Sequence, residues 1–295
     1  MIKTALSTFL SLGLQILGKL TNSKTLFALS VRLDPWNLRA KRWLFRSPKL
    51  ERDQLFAQLT DTLEIYRTIQ IDCSVNQPEL GRCLRSLVKS EAQLFQDIFV
   101  LQQLNFKRGG YFVEIGVGNG KSLSNTYLLE TEFGWKGILA EPNKEFIRSI
   151  KAVRAAVLDE RAVYSESGKQ LDFLADTVTG EISTLSRFRD QDHHSRQGST
   201  YQVTTVSIND LLAQNNAPAA IDYLSIDTEG SELEILAQLD FARYRFSVLT
   251  IEHNNVARNR EAICALLEKN GYILQAAAYS KFDAWFVAKE IAAGL

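Results

Sequence analysis

The spacing of apolar residues changes character once along the chain. Before about residue 104 it is helical; from residue 111 onward, short aromatic and β-branched runs alternate with amphipathic stretches. Residues 4–20 set polar Thr4, Ser7, Thr8, Ser11, Gln15 and Lys19 against a wide apolar stripe. That pattern predicts a helix that either packs on the body of the protein or lies in a membrane interface. The stripe is too short and too interrupted to cross a bilayer, and the absence of a small-residue cleavage site disfavours a secretory signal. Leu55, Leu59 and Leu63, then Leu84, Leu87, Leu94, Ile98 and Leu101, continue the helical period, with Pro78 and Gly81 as punctuation. Residues 1–90 therefore read as a helical extension. A last helix over 91–104 leads into the first strand and opens a second domain, 91–295.

In that second part the pattern predicts strands at Tyr111–Ile115, Gly137–Ala140, Ile221–Asp227, Phe246–Ile251, Tyr272–Ala277 and Ala284–Val287. A further strand fits Ala155–Leu158 or Arg161–Tyr164 equally well. Gln170–Leu174 and Tyr201–Val206 alternate like strands around a strongly polar run, Asp190–Ser199, which reads as a mobile loop carrying His193 and His194. Helices are expected at Lys121–Glu132, from Asn143 or Lys144 onward, at Ile208–Leu212, at Glu232–Leu239 and at Arg260–Lys269. Such strand–helix alternation predicts an α/β fold, a parallel sheet with helices on both faces, whose ligands bind beyond the carboxyl ends of the strands.

Composition adjusts this picture in three places. Net charge is zero, which argues against general nucleic-acid binding. The balance is uneven, with 16 Lys/Arg against 9 Asp/Glu in residues 1–110 and 18 against 25 in the rest. Within 32–52, seven Lys/Arg interleave with Trp36, Trp43 and Phe45, a mixture that suits phospholipid headgroups as well as a solvated helical face. Peripheral membrane contact through residues 4–52 is therefore an open expectation for an otherwise cytoplasmic chain. Cys73, Cys83 and Cys264 form no C-x-x-C pair and suit a reducing compartment, and three histidines make a structural zinc site a poor fit.

The densest chemistry follows the first strand. Gly116, Gly118 and Gly120 stand at alternate positions, so backbone N–H groups can approach a ligand with no Cβ between. The second strand ends in Glu141, 25 residues beyond Gly116, close to the roughly 20 at which an acidic residue reaches ribose hydroxyls. A dinucleotide fingerprint needs a third glycine at 121, where Lys121 stands. The E-x-G-x-G run from Glu114 is instead similar to that of Rossmann-like methyltransferases that bind S-adenosylmethionine (SAM). SAM has no pyrophosphate to seat, but its ammonium and sulfonium favour acidic neighbours.

Longer motifs sharpen the resemblance. Gly110–Gly116, Ser124-Asn-Thr-x-x-Leu-Glu130, Gly134-Trp-x-Gly-Ile-Leu-Ala-Glu-Pro-Asn143, Ile221–Glu232 and Ile251-Glu-His-Asn254 occur in the order found in FkbM-type SAM-dependent methyltransferases. The resemblance covers about residues 90–288. It implies a class I methyltransferase sheet of seven strands, the last antiparallel, and O-methylation of a hydroxyl on a sugar, glycolipid or secondary metabolite.

On that reading Gly116, Gly118 and Gly120 line the methionine part of SAM, and Glu114 orders that loop or the amino group. Glu141, with Pro142 beside it, takes the ribose hydroxyls, and Ala162 and Val163 flank the adenine. Asp227 and Glu229 end the fourth principal strand, nearest the transferred methyl, although Glu229 or Glu232 also suits the N-terminus of the following helix. His253 is a candidate general base, because an imidazole pKa of about 6.5 suits proton removal at neutral pH. Alternatively, Asp227 and Glu252 end adjacent strands and hold Mg²⁺, which orients and acidifies the hydroxyl. The expected partner is a small-molecule or glycan acceptor. Two other classes remain on the same fold: a nicotinamide-dependent oxidoreductase and a non-catalytic binding protein.

Overall fold

The computed structural model describes residues 82, 83, 86, 87, 89–178, 180–277 and 280–292. Two units divide the chain, Met1–Val88 and Lys89–Leu295, and the description concerns the second. The expectations for residues 4–20, 32–52 and 50–70 lie outside the described residues. No helix among the described residues is long and apolar enough to cross a membrane.

After helix α1 (Gln96–Gln103) the chain enters β1 (Tyr111–Ile115), α2 (Tyr127–Phe133), β2 (Lys136–Ala140), α3 (Lys144–Val153) and β3 (Val157–Asp159). A smaller sheet is then interposed, made of β4 (Ala162–Tyr164), β5 (Gln170–Asp176), β6 (Thr184–Leu185) and β7 (Gly198–Ser207). The main sheet resumes through α4 (Ile208–Gln214), β8 (Ala220–Ile226), α5 (Glu232–Leu236), β9 (Arg245–Glu252), α6 (Ala257–Lys269), β10 (Tyr272–Gln275), β11 (Asp283–Ala288) and α7 (Lys289–Ala292).

The seven strands of the main sheet lie in the order β3-β2-β1-β8-β9-β11-β10. Only β11 runs against its neighbours. This is the class I methyltransferase order, with the last strand antiparallel as expected. The chain starts in the middle, winds outward to β3 and returns on the other side of β1, so the direction of winding reverses between β1 and β8. A crevice opens at such a reversal beyond the carboxyl ends of the strands. Alternation along β1 sends Val113 and Ile115 to the face covered by α4, α5 and α6, where they join Leu211, Ile235, Ile263 and Leu267 in one cluster. The intervening Glu114 points to the other face and is buried there.

Two expectations change at the level of elements. The segments offered as alternatives for the third strand are both strands. Val157–Asp159 closes the edge of the main sheet beside β2, and Ala162–Tyr164 pairs with β7 in the second sheet. Asp159 makes the switch between them: its carboxylate accepts from the Arg161 backbone N–H at 3.0 Å and clasps the Arg161 guanidinium at 2.6 and 2.9 Å. The first crossover helix begins at Tyr127 rather than Lys121. Before it, Asn119 Oδ1 accepts from the N–H groups of Lys121 and Ser122, and Glu114 accepts from the Asn125 N–H at 2.7 Å. These side chains offer the backbone partners that a helix would otherwise supply.

Candidate active site

The crevice is a cavity of about 550 Å³ bordered by the ends of β1, β2, β8 and β9 and roofed by the second sheet. Its floor is the turn after β1. A Cβ on Gly116 would stand 1.6 Å from the Asp227 carbonyl oxygen, so strand ends β1 and β8 approach this closely only around glycine. Gly118 differs: with φ at +57° it faces free space, and the nearest atom to an added Cβ is Glu181 Cγ at 3.8 Å. That Cβ would occupy the cavity. Gly120 packs against Ile150 of α3 instead and does not line the cavity.

Glu141 ties floor to wall. Its Oε2 accepts from the N–H groups of Val117 (3.0 Å) and Gly118 (2.9 Å), and its Oε1 from Asn143 N–H (2.8 Å). Burial pushes its carboxyl up to about 7, against the pull of those three N–H groups. It lines the cavity with one Oε1 lone pair unspent. Glu114 is placed otherwise. It is buried beneath the loop, accepting from Ser124 and Thr126 hydroxyls, Asn125 N–H and Arg154, and it does not line the cavity. Of its two expected roles, the geometry favours ordering the loop.

Beyond Glu141 and Pro142, the side chains of Phe146, Ala162, Val163, Phe173 and Leu185 form an apolar slot. An open cradle at Gly118, a carboxylate with a free lone pair and a slot for a flat ring fit an adenosine-type cofactor bearing a charged amino-acid tail.

At the ends of β8 and β9 stand Asp227, Glu229 and Glu252, one carboxylate oxygen of each lying within 4.8 Å of the other two. Burial pushes Asp227 up to about 7, the neighbouring Asp283 and Glu232 charges adding to it. Glu229 rises to about 8 through burial and the Asp227 charge, opposed by Arg196. Burial together with Asp227 and Glu229 lifts Glu252 well above its ordinary range. Asn254 Nδ2 donates to both Glu229 Oε2 (3.0 Å) and Glu252 Oε2 (2.8 Å). Glu232 is a turn clasp: it accepts from the N–H groups of Thr228 (2.9 Å) and Gly230 (3.0 Å).

The expectation of a general base at His253 is corrected. Its Nε2 pairs with the Asp283 carbonyl at 3.0 Å, its Nδ1 accepts from Asn255 N–H at 3.1 Å, and it does not line the cavity. Both nitrogens are committed to backbone, and burial lowers its pKa. His193 and His194 do line the cavity. Asn254, which lines the cavity, was missed as a site residue, as were Arg196 and Thr184, which do not line it but bond to Glu229. Asn254 sits inside a motif already noted, whereas Arg196 is buried within a run whose polarity signals a solvated loop.

A family model described as the methyltransferase FkbM domain matches residues 114–274. A comparison with curated proteins returns no match. Among solved structures, the chain is similar to a precorrin-6y C5,15-methyltransferase from Geobacter metallireducens GS-15 at 14% identity, over 61% of this chain and 71% of that one, with a TM-score of 0.35. A methyltransferase from Pyrococcus furiosus shares 12% identity over 67% and 83%, at a TM-score of 0.34. A SAM-dependent methyltransferase from Aquifex aeolicus shares 13% over 66% and 89%, at 0.34. The fold rests on the strand order, not on these distant likenesses. With the family model matching more than half of the chain, this protein belongs to the FkbM family of SAM-dependent methyltransferases.

Proposed function

We propose that the chain methylates a hydroxyl oxygen of a sugar, glycolipid or secondary metabolite, with Glu229 accepting the hydroxyl proton. SAM, when bound, supplies an electrophilic methyl group. Gly116, Gly118, Glu141 and Pro142 hold its amino-acid and ribose parts, and the slot at Ala162 and Val163 takes its adenine.

The observation that carries the oxygen assignment is the carboxylate wall that shares one cavity with the glycine loop. A hydroxyl is a weak nucleophile and must lose its proton as it attacks, and a base works best with a pKa near the operating pH. Glu229 at about 8 meets that condition. Arg196 and Asn254 occupy its Oε2, which leaves Oε1 for the acceptor. Asp227, at the end of β8, orients the same hydroxyl.

The test is methyl-labelled SAM supplied to extracts of cells lacking the protein, with the product analysed by carbon NMR. The expected label appears as an O–CH₃ resonance with wild-type protein and is lost with Glu229→Gln. Label on nitrogen or carbon would overturn the O-methyl reading.

The same wall favours a second reading, in which Asp227 and Glu252, with Glu229 close by, hold a divalent cation. Activity lost in EDTA and restored by Mg²⁺ would support it. Full activity in EDTA leaves proton transfer to a carboxylate alone.

A further inference from the structure

Arg196 spends every N–H it has. Nε donates to the Ile182 carbonyl at 2.5 Å. Nη1 donates to the Arg189 carbonyl at 2.9 Å and to Asp192 Oδ1 at 2.8 Å, and Nη2 to Asp192 Oδ2 and to Glu229 Oε2, the latter at 2.9 Å. Its side chain is 0% exposed. Only a guanidinium offers five donors in a rigid planar fork.

Those acceptors belong to different walls of the cleft. Ile182 lies in the segment 180–183, which borders the cavity beside the glycine loop, with Glu181 Cγ 3.8 Å from where a Gly118 Cβ would stand. The segment is tied to the chain beyond β2 by Asn143 Nδ2 donating to Ser183 Oγ at 3.2 Å. Glu229 belongs to the acidic wall. Its backbone has φ at +60°, a left-handed conformation that a residue other than glycine keeps only where its surroundings enforce it. The enforcement comes from the second sheet: the Thr184 hydroxyl donates to the Glu229 carbonyl at 2.9 Å, and Arg196 holds the carboxylate. A run that reads as a solvated loop therefore supplies a side chain that touches both ends of the cleft.

We propose that Arg196 is a positioning residue for methyl transfer: one guanidinium keeps the cofactor wall, through Ile182, in register with Glu229 at the acceptor end, so that cofactor binding and the placement of Glu229 are coupled. The inference rests on the methyltransferase reading above.

Calorimetric titration of S-adenosylhomocysteine into the full chain tests it without an acceptor, with thermal unfolding measured in parallel. Losing hydrogen bonds to a charged group corresponds to a drop of about tenfold or more in affinity for Arg196→Gln. Arg196→Lys, which keeps the charge but has three donors, is expected to recover part of it. Glu229→Gln is expected to weaken binding about threefold in the wild-type background and to add nothing once Arg196 is Gln, the signature of a shared pathway. Affinity of Arg196→Gln within about twofold of wild type, whatever its melting temperature, would reduce Arg196 to a structural anchor and overturn the proposal. Additive losses in the Glu229 cycle would do the same. Should Arg196→Gln fail to fold, Asp192→Asn leaves the guanidinium in place but loosens its fork; no loss of affinity there is equally fatal. Failure of the wild-type chain to bind would instead overturn the methyltransferase reading itself.

Discussion

Glu141 is where the glycine loop and the cavity meet in a single side chain. Three backbone N–H groups already point at its two oxygens, so the carboxylate shapes the loop and still has a lone pair to spare, the one proposed for a ribose hydroxyl. Glutamine has one acceptor oxygen and must turn its NH₂ toward an N–H or into the cavity. Glu141→Gln is therefore expected to lose about tenfold or more in S-adenosylhomocysteine affinity by calorimetry, and unchanged affinity removes the assignment. Gly118→Ala is expected to weaken binding as well, since its Cβ enters the cavity and its backbone is left-handed, at a strain of about 1 kcal/mol. That both positions border the cavity was legible in the sequence, because spacing from a strand end fixes where the backbone goes. His253 was not. Its place at the end of β9 was foreseeable, but its side-chain direction is set by the left-handed residues Asn254 and Asn255, which turn the chain just beyond the strand.

At the scale of elements, strands were readable wherever burial imposed an apolar run, as in β1, β8 and β9. Boundaries set by polar side chains were not. The late start of α2 depends on Glu114, Ser124, Asn125 and Thr126 meeting beneath the loop, and none of those contacts has a sequence period. Arg154 closes that network from the end of α3. It reaches Glu130 Oε2 at 2.7 Å, the Gly120 carbonyl at 3.2 Å, Ser124 Oγ at 3.1 Å and Thr126 Oγ1 at 2.7 Å. Arg154 and Glu114 side chains are each 1% exposed, so removing the cation strands a buried carboxylate. Arg154→Ala is expected to cost about 3–5 kcal/mol in urea unfolding. A loss below about 1 kcal/mol would show that the network is dispensable. In the polar run Asp190–Ser199 most positions are exposed, as a loop requires, and the exception is Arg196, which is buried. Arg196 is polar because it pairs with Asp192 and with Glu229, not because it faces water.

For the whole molecule, a formal charge of zero conceals how the acids are distributed. Asp97, Glu141 and Asp227 are lifted to about 7, Glu229 to about 8 and Asp283 to about 6, in each case chiefly by burial. The unfolded chain releases those protons near its ordinary carboxylate pKa of about 4. Between about pH 4 and pH 8 the folded chain thus binds more protons than the unfolded one, and stability must fall as pH rises through that window. Glu290, held near 2 by Arg245, acts in the opposite sense below the window. His253, lowered by burial, opposes the fall within it, one imidazole against five carboxyl groups. The chain without cofactor is therefore expected to melt at a higher temperature at about pH 5.5 than at about pH 8.5 in scanning calorimetry. Glu252→Gln removes one charge from the Asp227, Glu229 and Glu252 cluster while keeping its shape, so it should raise the melting temperature at the alkaline end and flatten the slope. A melting temperature that instead climbs steadily toward alkaline pH would mean that the wall is fully ionised in the fold. Glu229 would then be too weak a base for the proton transfer assigned to it, and the cation reading would gain the ground it loses.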